Sequence, residues 1–87
     1  MVETMFSKIL TQAGHTRCFS VSACQSSGWE VRIEQDSQVV RQILYTDWHR
    51  VERALGSIER EVGDLEAQGW RTAAVVDGAY ARQSTNL

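Results

Sequence analysis

The stretch DWHRVERALGSIEREVGDLEAQGW, residues 47–70, decides the fold of this chain. Its apolar residues recur at spacings of three and four, which places them on one face of an α-helix. The sequence therefore predicts one long amphipathic helix over residues 47–68. Its buried stripe is formed by Trp48, Val51, Leu55, Ile58, Val62 and Leu65.

Both ends of this predicted helix carry residues that commonly end helices. Thr46 or Asp47 offers a side-chain oxygen that could cap the first turn. Gly69 stands where a left-handed residue often follows the last turn, and Trp70 could then contact Leu65 in a Schellman arrangement. The two ends therefore define the length of the helix.

Three segments that precede the helix have the patterns of β-strands. Residues 17–24 and 29–34 alternate apolar and polar side chains, which is the period of a strand with one buried face. Residues 39–45 have apolar side chains at both odd and even positions, so neither face of this third strand is plainly polar. Short polar connections at 25–28 and 36–37 favour an antiparallel meander of the three strands.

The N-terminal segment has a helical pattern. Val2, Met5, Phe6, Ile9, Leu10 and Ala13 recur at intervals of three and four. Gly14 follows them, as it would at a helix end, so we expect a short helix over residues 3–13. A first strand is the alternative, since about ten residues is the length at which periodicity stops deciding.

These elements predict an α+β domain over residues 1–76. It consists of a short N-terminal helix, a three-stranded antiparallel meander and one long helix packed across the apolar face of the meander. Residues 72–76 could add a fourth strand. Residues 77–87 are polar and small, and we expect them to form a loosely ordered tail.

The charge balance excludes one class of function. Nine Lys and Arg stand against eleven Asp and Glu among 87 residues, a net charge of −2. Proteins that hold duplex nucleic acid mainly by neutralising phosphates usually present a broad basic face. The sequence argues against that class but allows a small local basic site.

The sequence also predicts a location. No apolar run approaches the ~18 residues of a membrane span, and the first residues lack the basic region of a secretory signal. Cys18 and Cys24 would lie about 20 Å apart on one strand, too far for an intramolecular disulfide. Two reduced thiols indicate a reducing compartment. We therefore expect a soluble cytoplasmic protein that does not contact membranes.

Motifs for catalysis and metal binding are missing from the sequence. The chain holds no nucleophile elbow, no phosphate-cradling glycine loop and no H-E-x-x-H helix. Its cysteines and histidines lack the paired spacing of a structural zinc site. We therefore expect a protein that is not an enzyme and has no metal and no cofactor.

A basic cluster marks the start of the long helix. His49, Arg50 and Arg53 are three or four residues apart and would be neighbours near the positive end of the helix dipole. Cations are unfavourable there, which one hypothesis explains by the binding of a carboxylate or a phosphate. In the alternative, they are solvated residues whose charge Asp47 and Glu52 offset.

Two features suggest surfaces for self-association. Gly56 and Gly63 stack on one side of the helix at a cost of about 1 kcal/mol each relative to alanine, so another backbone could pass close to them. That backbone could belong to the same helix of a second subunit or to the N-terminal helix, and chance placement is the third explanation. The outer face of the third strand is the second surface, unless another element covers it. It offers either Val40 and Leu44 or Val39, Ile43 and Tyr45.

The sequence YTDWHRVERA at residues 45–54, with GWEV at residues 28–31, resembles short uncharacterised bacterial proteins built as a β-meander and one helix. The resemblance covers residues 19–70. In layout the chain is also similar to Whirly-type single-strand binders. Their basic, aromatic sheet face is not matched, because the second strand presents Glu30 and Glu34. The resemblance implies a fold and no specific function.

Two functional hypotheses follow for a protein that is not an enzyme, and a small enzyme with a pocket that joins His49 to a carboxylate is the third alternative. The first is a small non-enzymatic interaction protein that forms a homodimer through the glycine side of the helix or through the outer sheet face, with an unknown protein partner as a further option. The second is a single-stranded nucleic-acid or small-anion binder that acts through the basic cluster, with Arg32 and Arg41 as additional candidates.

Overall fold

The computed structural model describes residues 3–24 and 27–77, which form a five-stranded antiparallel sheet with one helix on one face. The elements in chain order are β1 Glu3–Gln12, β2 His15–Ala23, β3 Trp29–Gln35, β4 Gln38–Tyr45, α1 Trp48–Ala67 and β5 Arg71–Asp77. The strands lie in the order β4-β3-β2-β1-β5. The first four strands thus form a meander, and β4 and β5 are the edges of the sheet.

The predicted N-terminal helix over residues 3–13 is wrong, because this segment forms the strand β1. The register against β2 shifts between Thr4 and Phe6, which leaves Met5 as an extra residue in the pairing. This bulge breaks the alternation of period two. As a result, the apolar residues before and after Met5 have the spacing that is typical of a helix.

Gly14 ends no helix but forms the turn of the β1–β2 hairpin. Ala13 has a φ of 51° and Gly14 a φ of 83°, and two successive positive values are typical of a type I′ turn. The β3–β4 hairpin has the same feature at Asp36 and Ser37, with φ values of 51° and 70°. The predicted α+β fold with two helices and a three-stranded meander is therefore corrected to a five-stranded sheet with one helix.

Residues 72–76 lie in a strand, as the sequence allowed, but at an unexpected place in the sheet. β5 pairs antiparallel with β1, with Lys8 opposite Val75, so it is separated from β4 by the whole meander. α1 therefore connects one edge of the sheet to the other. Asp77 is the last residue of β5, and the rest of the predicted tail, 78–87, lies outside the described residues.

The hydrophobic core lies between α1 and the central strands. Phe19 and Leu10 are fully buried, and nine apolar residues in all make up the buried cluster. The sheet contributes Leu10, Phe19, Val21, Val31 and Ile33, and the helix contributes Val51, Leu55, Ile58 and Val62. The predicted helical stripe is confirmed, with Trp48 and Leu65 half-buried at its two ends.

Both predicted helix ends are confirmed. Asp47 is the N-cap, and its side chain accepts a hydrogen bond from the backbone N–H of His49 at 3.0 Å. At the other end, the Trp70 N–H donates to the Leu65 carbonyl at 3.0 Å, and the Gly69 N–H donates to the Glu66 carbonyl at 3.1 Å. With a φ of 106° at Gly69, this is the Schellman arrangement.

Two contacts fix the position of α1 on the sheet. Near its start, the rings of Trp29 and Trp48 pack with their centroids 5.2 Å apart and their planes tilted by 60°. In its second half, Arg17 Nη2 donates to Glu61 Oε2 at 2.6 Å, and the Arg17 guanidinium lies 5.6 Å from the centre of the Phe19 ring.

One helix cannot cover five strands. Neighbouring strands lie about 4.8 Å apart, so the sheet measures roughly 19 Å between its two edge strands, while a helix with its side chains is about 10 Å wide. α1 connects the β4 edge to the β5 edge, and clefts lie on both sides of it, lined by residues of β3, β4 and α1 on one side and of β1, β5 and α1 on the other. These clefts and the two edges are the surfaces on which a function can be built.

Asp36 ties the β3–β4 turn to the start of β2. Its Oδ1 accepts a hydrogen bond from the Thr16 backbone N–H at 2.9 Å, and its Oδ2 lies 3.0 Å from His15 Nδ1. The Thr16 N–H first, and the His15 side chain second, hold the pKa of the Asp36 carboxyl below its ordinary value of 3.8. A carboxyl with a lowered folded-state pKa stabilises the fold above its unfolded-state pKa, and this contribution is lost as the pH falls through the folded-state pKa.

We therefore expect Asp36→Asn to make the free energy of unfolding less dependent on pH in the acid range. The wild-type free energy of unfolding should fall more steeply than that of the variant as the pH drops below about 4. Chemical denaturation across this range measures both slopes. Asp64→Asn, at an exposed position on α1, is the matched control, and a slope for Asp36→Asn as steep as that of the control would contradict the assignment.

Candidate functional site

The edge strand β4 exposes an apolar surface. Seven of its eight residues are exposed, and only Tyr45 is half-buried. Its outer backbone N–H and C=O groups have no pairing strand within the described residues. An exposed apolar edge of this kind is a template for pairing with another chain. Its aliphatic side chains are Ile43, Val39, Val40 and Leu44, which are 38%, 50%, 56% and 68% exposed.

A bulge sets the length of this edge that can pair regularly. The register of β4 against β3 shifts so that Val40 is an extra residue in the pairing. Bulges twist an edge away from regular pairing, which leaves residues 41–45 as the uninterrupted segment. Alternation along this segment places Arg41, Ile43 and Tyr45 on the helix side, and Gln42 and Leu44 on the opposite side.

A basic cleft of about 300 Å³ lies between the end of β4 and the first turns of α1. Arg50 and Arg53 are three residues apart on the helix, which makes their side chains neighbours. Ser57 follows Arg53 by one turn on the same side. The cleft is lined by Tyr45, Arg50, Arg53, Ala54 and Ser57.

A second, mainly apolar cleft of about 100 Å³ adjoins the basic cleft and shares Tyr45, Ala54 and Ser57 with it. Its one acidic residue, Glu61, accepts the hydrogen bond from Arg17, so its charge is compensated. The other residues that line this apolar cleft are Val31, Ile33, Arg41, Ile43 and Ile58.

The arginines of the two clefts lack acidic partners. Arg41, Arg50 and Arg53 take part in no ion pair within the described part of the chain. The two acidic residues nearest in sequence are engaged elsewhere, since Glu52 Oε1 lies 3.4 Å from His49 Nδ1 and Asp47 is the N-cap. Because the N-terminal end of α1 adds positive partial charge, the cleft region has a positive potential.

The structure brings together two of the three residues of the predicted basic cluster. Arg50 and Arg53 line the same cleft, whereas the His49 side chain is 84% exposed and is not part of the lining. His49 Nδ1 instead lies 3.4 Å from Glu52 Oε1 on the neighbouring turn. His49 lies outside the cleft because its side chain is rotated by about 100° from that of Arg50 around the helix axis.

The sheet face opposite α1 carries a charged ladder on β3. Arg32 Nη2 lies 3.4 Å from Glu30 Oε1, and Arg32 Nη1 lies 3.7 Å from Glu34 Oε2. The Gln42 amide of β4 donates to the second carboxylate oxygen of Glu30. Arg32 is therefore paired and lies far from the basic cleft. Small residues of β2 flank the ladder, namely Cys18, Ser20 and Ser22.

Gly56 and Gly63 approach no backbone within the described structure. A Cβ atom added at Gly63 would have no neighbour within 4 Å, and one added at Gly56 would meet only the Arg60 side chain, at 3.9 Å. Packing against an N-terminal helix is excluded, because residues 3–13 contain β1 instead. An interface with a second subunit and chance placement are the two explanations left.

Ser57 and Ala54 line the basic cleft but were not predicted from the sequence. Ser57 follows Arg53 by four residues, so a helical projection of the basic cluster would have found it. Tyr45 was expected at an interface, and it lies where the edge strand and the basic cleft meet.

A comparison with protein families, curated proteins and solved structures finds no match to this chain. The described part of the chain contains no helix that is both long and apolar enough to cross a membrane. Across residues 3–24 and 27–77, no three His, Cys, Asp or Glu side chains form a group that could hold a metal ion.

Proposed function

We propose that this chain is a small non-enzymatic protein that acts through self-association, forming a homodimer in which β4 pairs with β4 of a second subunit. The observation that carries the proposal is the exposed edge of β4, with four large aliphatic side chains that are 38–68% exposed. Pairing through residues 41–45 would bury Ile43 and Leu44 and would satisfy the backbone groups of this part of the edge.

β4 is a better candidate than β5, the other edge. β5 exposes two large aliphatic side chains, Val75 at 53% and Val76 at 52%, which is half the number on β4. In the segment of β4 that can pair, Ile43 and Leu44 are larger side chains than the two valines of β5, and Leu44 is 68% exposed. Since the gain from burial scales with apolar area, at about 25 cal/mol per Å², the β4 edge offers the larger driving force.

The glycine side of α1 is also a weaker candidate than β4. Glu52, Glu59 and Glu66 repeat every seven residues and so share one side of the helix with Gly56 and Gly63. A second copy of α1 packed there would bring the carboxylates of the two subunits together. Like charges brought together in this way repel each other.

Two-fold symmetry fixes the register of the proposed dimer. If the regular segment 41–45 pairs antiparallel with itself, Ile43 lies opposite Ile43 of the partner subunit. Arg41 then lies opposite Tyr45 of the partner subunit, a pair that can form a cation–π contact. The two five-stranded sheets become one continuous sheet with both helices on the same face.

Leu44→Lys tests this proposal, because it places a charge at the most exposed aliphatic position of the edge. We expect the wild type to sediment as a dimer at micromolar concentration and the variant to sediment as a monomer. Val76→Lys makes the same change on β5, at 52% exposure, and should leave the dimer intact.

Circular dichroism should show that both lysine variants keep the wild-type fold, since both positions are exposed. The proposal fails if the wild type stays monomeric up to high concentration, or if Val76→Lys disrupts association as strongly as Leu44→Lys.

A further inference from the structure

We propose that the basic cleft and the apolar cleft beside it together bind a phosphate monoester that carries an apolar or aromatic body. Arg50 and Arg53 would hold the phosphate, and the side chains around Ile43 would contact the body. All the lining residues belong to one chain. Arg41, Ile43 and Tyr45 also take part in the proposed β4 pairing, but the ligand site does not require a second subunit.

Charge is the first argument for an anion. The two clefts contain three arginines without acidic partners in the described part of the chain, and their one carboxylate, Glu61, is compensated by Arg17. The arginines lie beside the positive end of α1, where cations are unfavourable. A bound anion would remove this repulsion, which a solvated surface only screens.

The arrangement of donors favours a tetrahedral oxyanion. Each guanidinium presents a planar fork of N–H donors that matches a phosphate in bidentate fashion. Arg50 and Arg53 are neighbours on the helix surface, so both forks can reach one group. The Ser57 and Tyr45 side chains in the same lining supply hydroxyl groups.

The apolar cleft indicates what the phosphate is attached to. It continues from the basic cleft through Tyr45, Ala54 and Ser57, and four aliphatic residues line it. Small-molecule sites commonly combine such an apolar wall with a few polar anchors. A free inorganic anion would leave Ile43, which is 38% exposed, in contact with water, whereas an aromatic ester would cover it.

Titrations followed by NMR test this inference with three probes of different chemistry. Phenyl phosphate offers both the phosphate and the apolar body, inorganic phosphate offers only the anion, and benzoate offers the body with a planar anion. We expect phenyl phosphate to bind at least about tenfold more tightly than either of the other two. The shifted amides should belong to residues 43–45 and 50–58.

Arg50→Gln combined with Arg53→Gln should weaken phenyl phosphate binding by at least about tenfold, because both forks are lost. Lys8→Gln combined with Arg71→Gln is the control for net charge. It removes the same charge at positions outside the two clefts and should keep most of the affinity.

A nucleoside monophosphate and a short oligothymidine then distinguish the source of the phosphate ester. Tighter binding of the monophosphate assigns the site to free small molecules, as proposed here, and tighter binding of the strand overturns that assignment in favour of nucleic acid. Equal binding of phenyl phosphate and inorganic phosphate would overturn the inference as a whole. So would equal affinity in the Arg50/Arg53 variant and its charge control. Neither result would change the sedimentation of the wild type, so failure of this site and failure of the dimer can be told apart.

Discussion

Replacing Phe19 by alanine is expected to lower the free energy of unfolding by about 3–5 kcal/mol. The Phe19 side chain is fully buried at the centre of β2, the middle strand of the sheet. It packs in the cluster formed by the sheet residues and the apolar stripe of α1. Since residues 3–24 and 27–77 place no second helix on this face, the neighbouring elements cannot close the cavity without moving α1.

Denaturant unfolding of wild type and Phe19→Ala at equal protein concentration measures this loss. Domains of this size have stabilities of roughly 4–13 kcal/mol, so the loss could unfold a large part of the population. Val76→Ala, at a half-exposed position on β5, is the control and should change stability by less than about 1 kcal/mol. A loss below about 1 kcal/mol for Phe19→Ala would show that the core does not lie where we place it.

Gly28→Ala is expected to cost about 2–4 kcal/mol, an unusually large effect for a methyl group in a turn. Gly28 has a φ of 88°, which alanine adopts only with strain. A Cβ atom there would also lie 2.5 Å from the Tyr45 carbonyl oxygen and 3.5 Å from the Thr46 Cα. Because these are backbone atoms, the chain between β4 and α1 would have to move.

Gly14→Ala separates the two causes of this effect. Gly14 has nearly the same φ, 83°, but an added Cβ atom would have no neighbour within 4 Å. Its cost should therefore be the conformational strain alone, about 1 kcal/mol. Thermal or denaturant unfolding of the two variants gives the comparison. Equal losses would mean that the close approach of Gly28 to Tyr45 contributes nothing to stability.

The local parts of this fold could be predicted from the sequence, and the non-local parts could not. The long helix, its cap at Asp47 and its end at Gly69 depend on residues within a few positions of each other. The strand at residues 72–76 could be recognised as extended, but its pairing with β1 depends on residues sixty or more positions away. Nothing in a local pattern reports such pairing.

The wrong prediction of an N-terminal helix ending at Gly14 has two physical causes. The bulge at Met5 gave a strand the spacing of a helix, and Gly14, placed at a hairpin turn, imitated a helix end. The apolar side chains at both odd and even positions of residues 39–45 did not decide the place of this strand, because they fit either a strand buried on both faces or an exposed edge. β4 is an edge strand because β5 pairs with β1, on the far side of the sheet, and not with β4.

The candidate sites show the same division between local and non-local information. Arg50 and Arg53 could be paired from their helical spacing alone, and they share a cleft. Arg41 and Tyr45 enter the same region from β4, which depends on how the helix lies on the sheet. The position of His49 outside the cleft follows from its angle around the helix, which spacing to Arg53 alone did not reveal.

Oxidative cross-linking through Ile43→Cys tests the β4 dimer most directly, in a background that also carries Cys18→Ser and Cys24→Ser. At the two-fold axis the two new cysteines would lie opposite each other on neighbouring strands, within the distance of about 7 Å between Cα atoms that a disulfide tolerates. We predict rapid formation of a covalent dimer that keeps the native circular dichroism. Val75→Cys, on the other edge and more exposed than Ile43, should cross-link only slowly. Cross-linking of Ile43→Cys that is no faster than that of Val75→Cys would contradict self-association through β4.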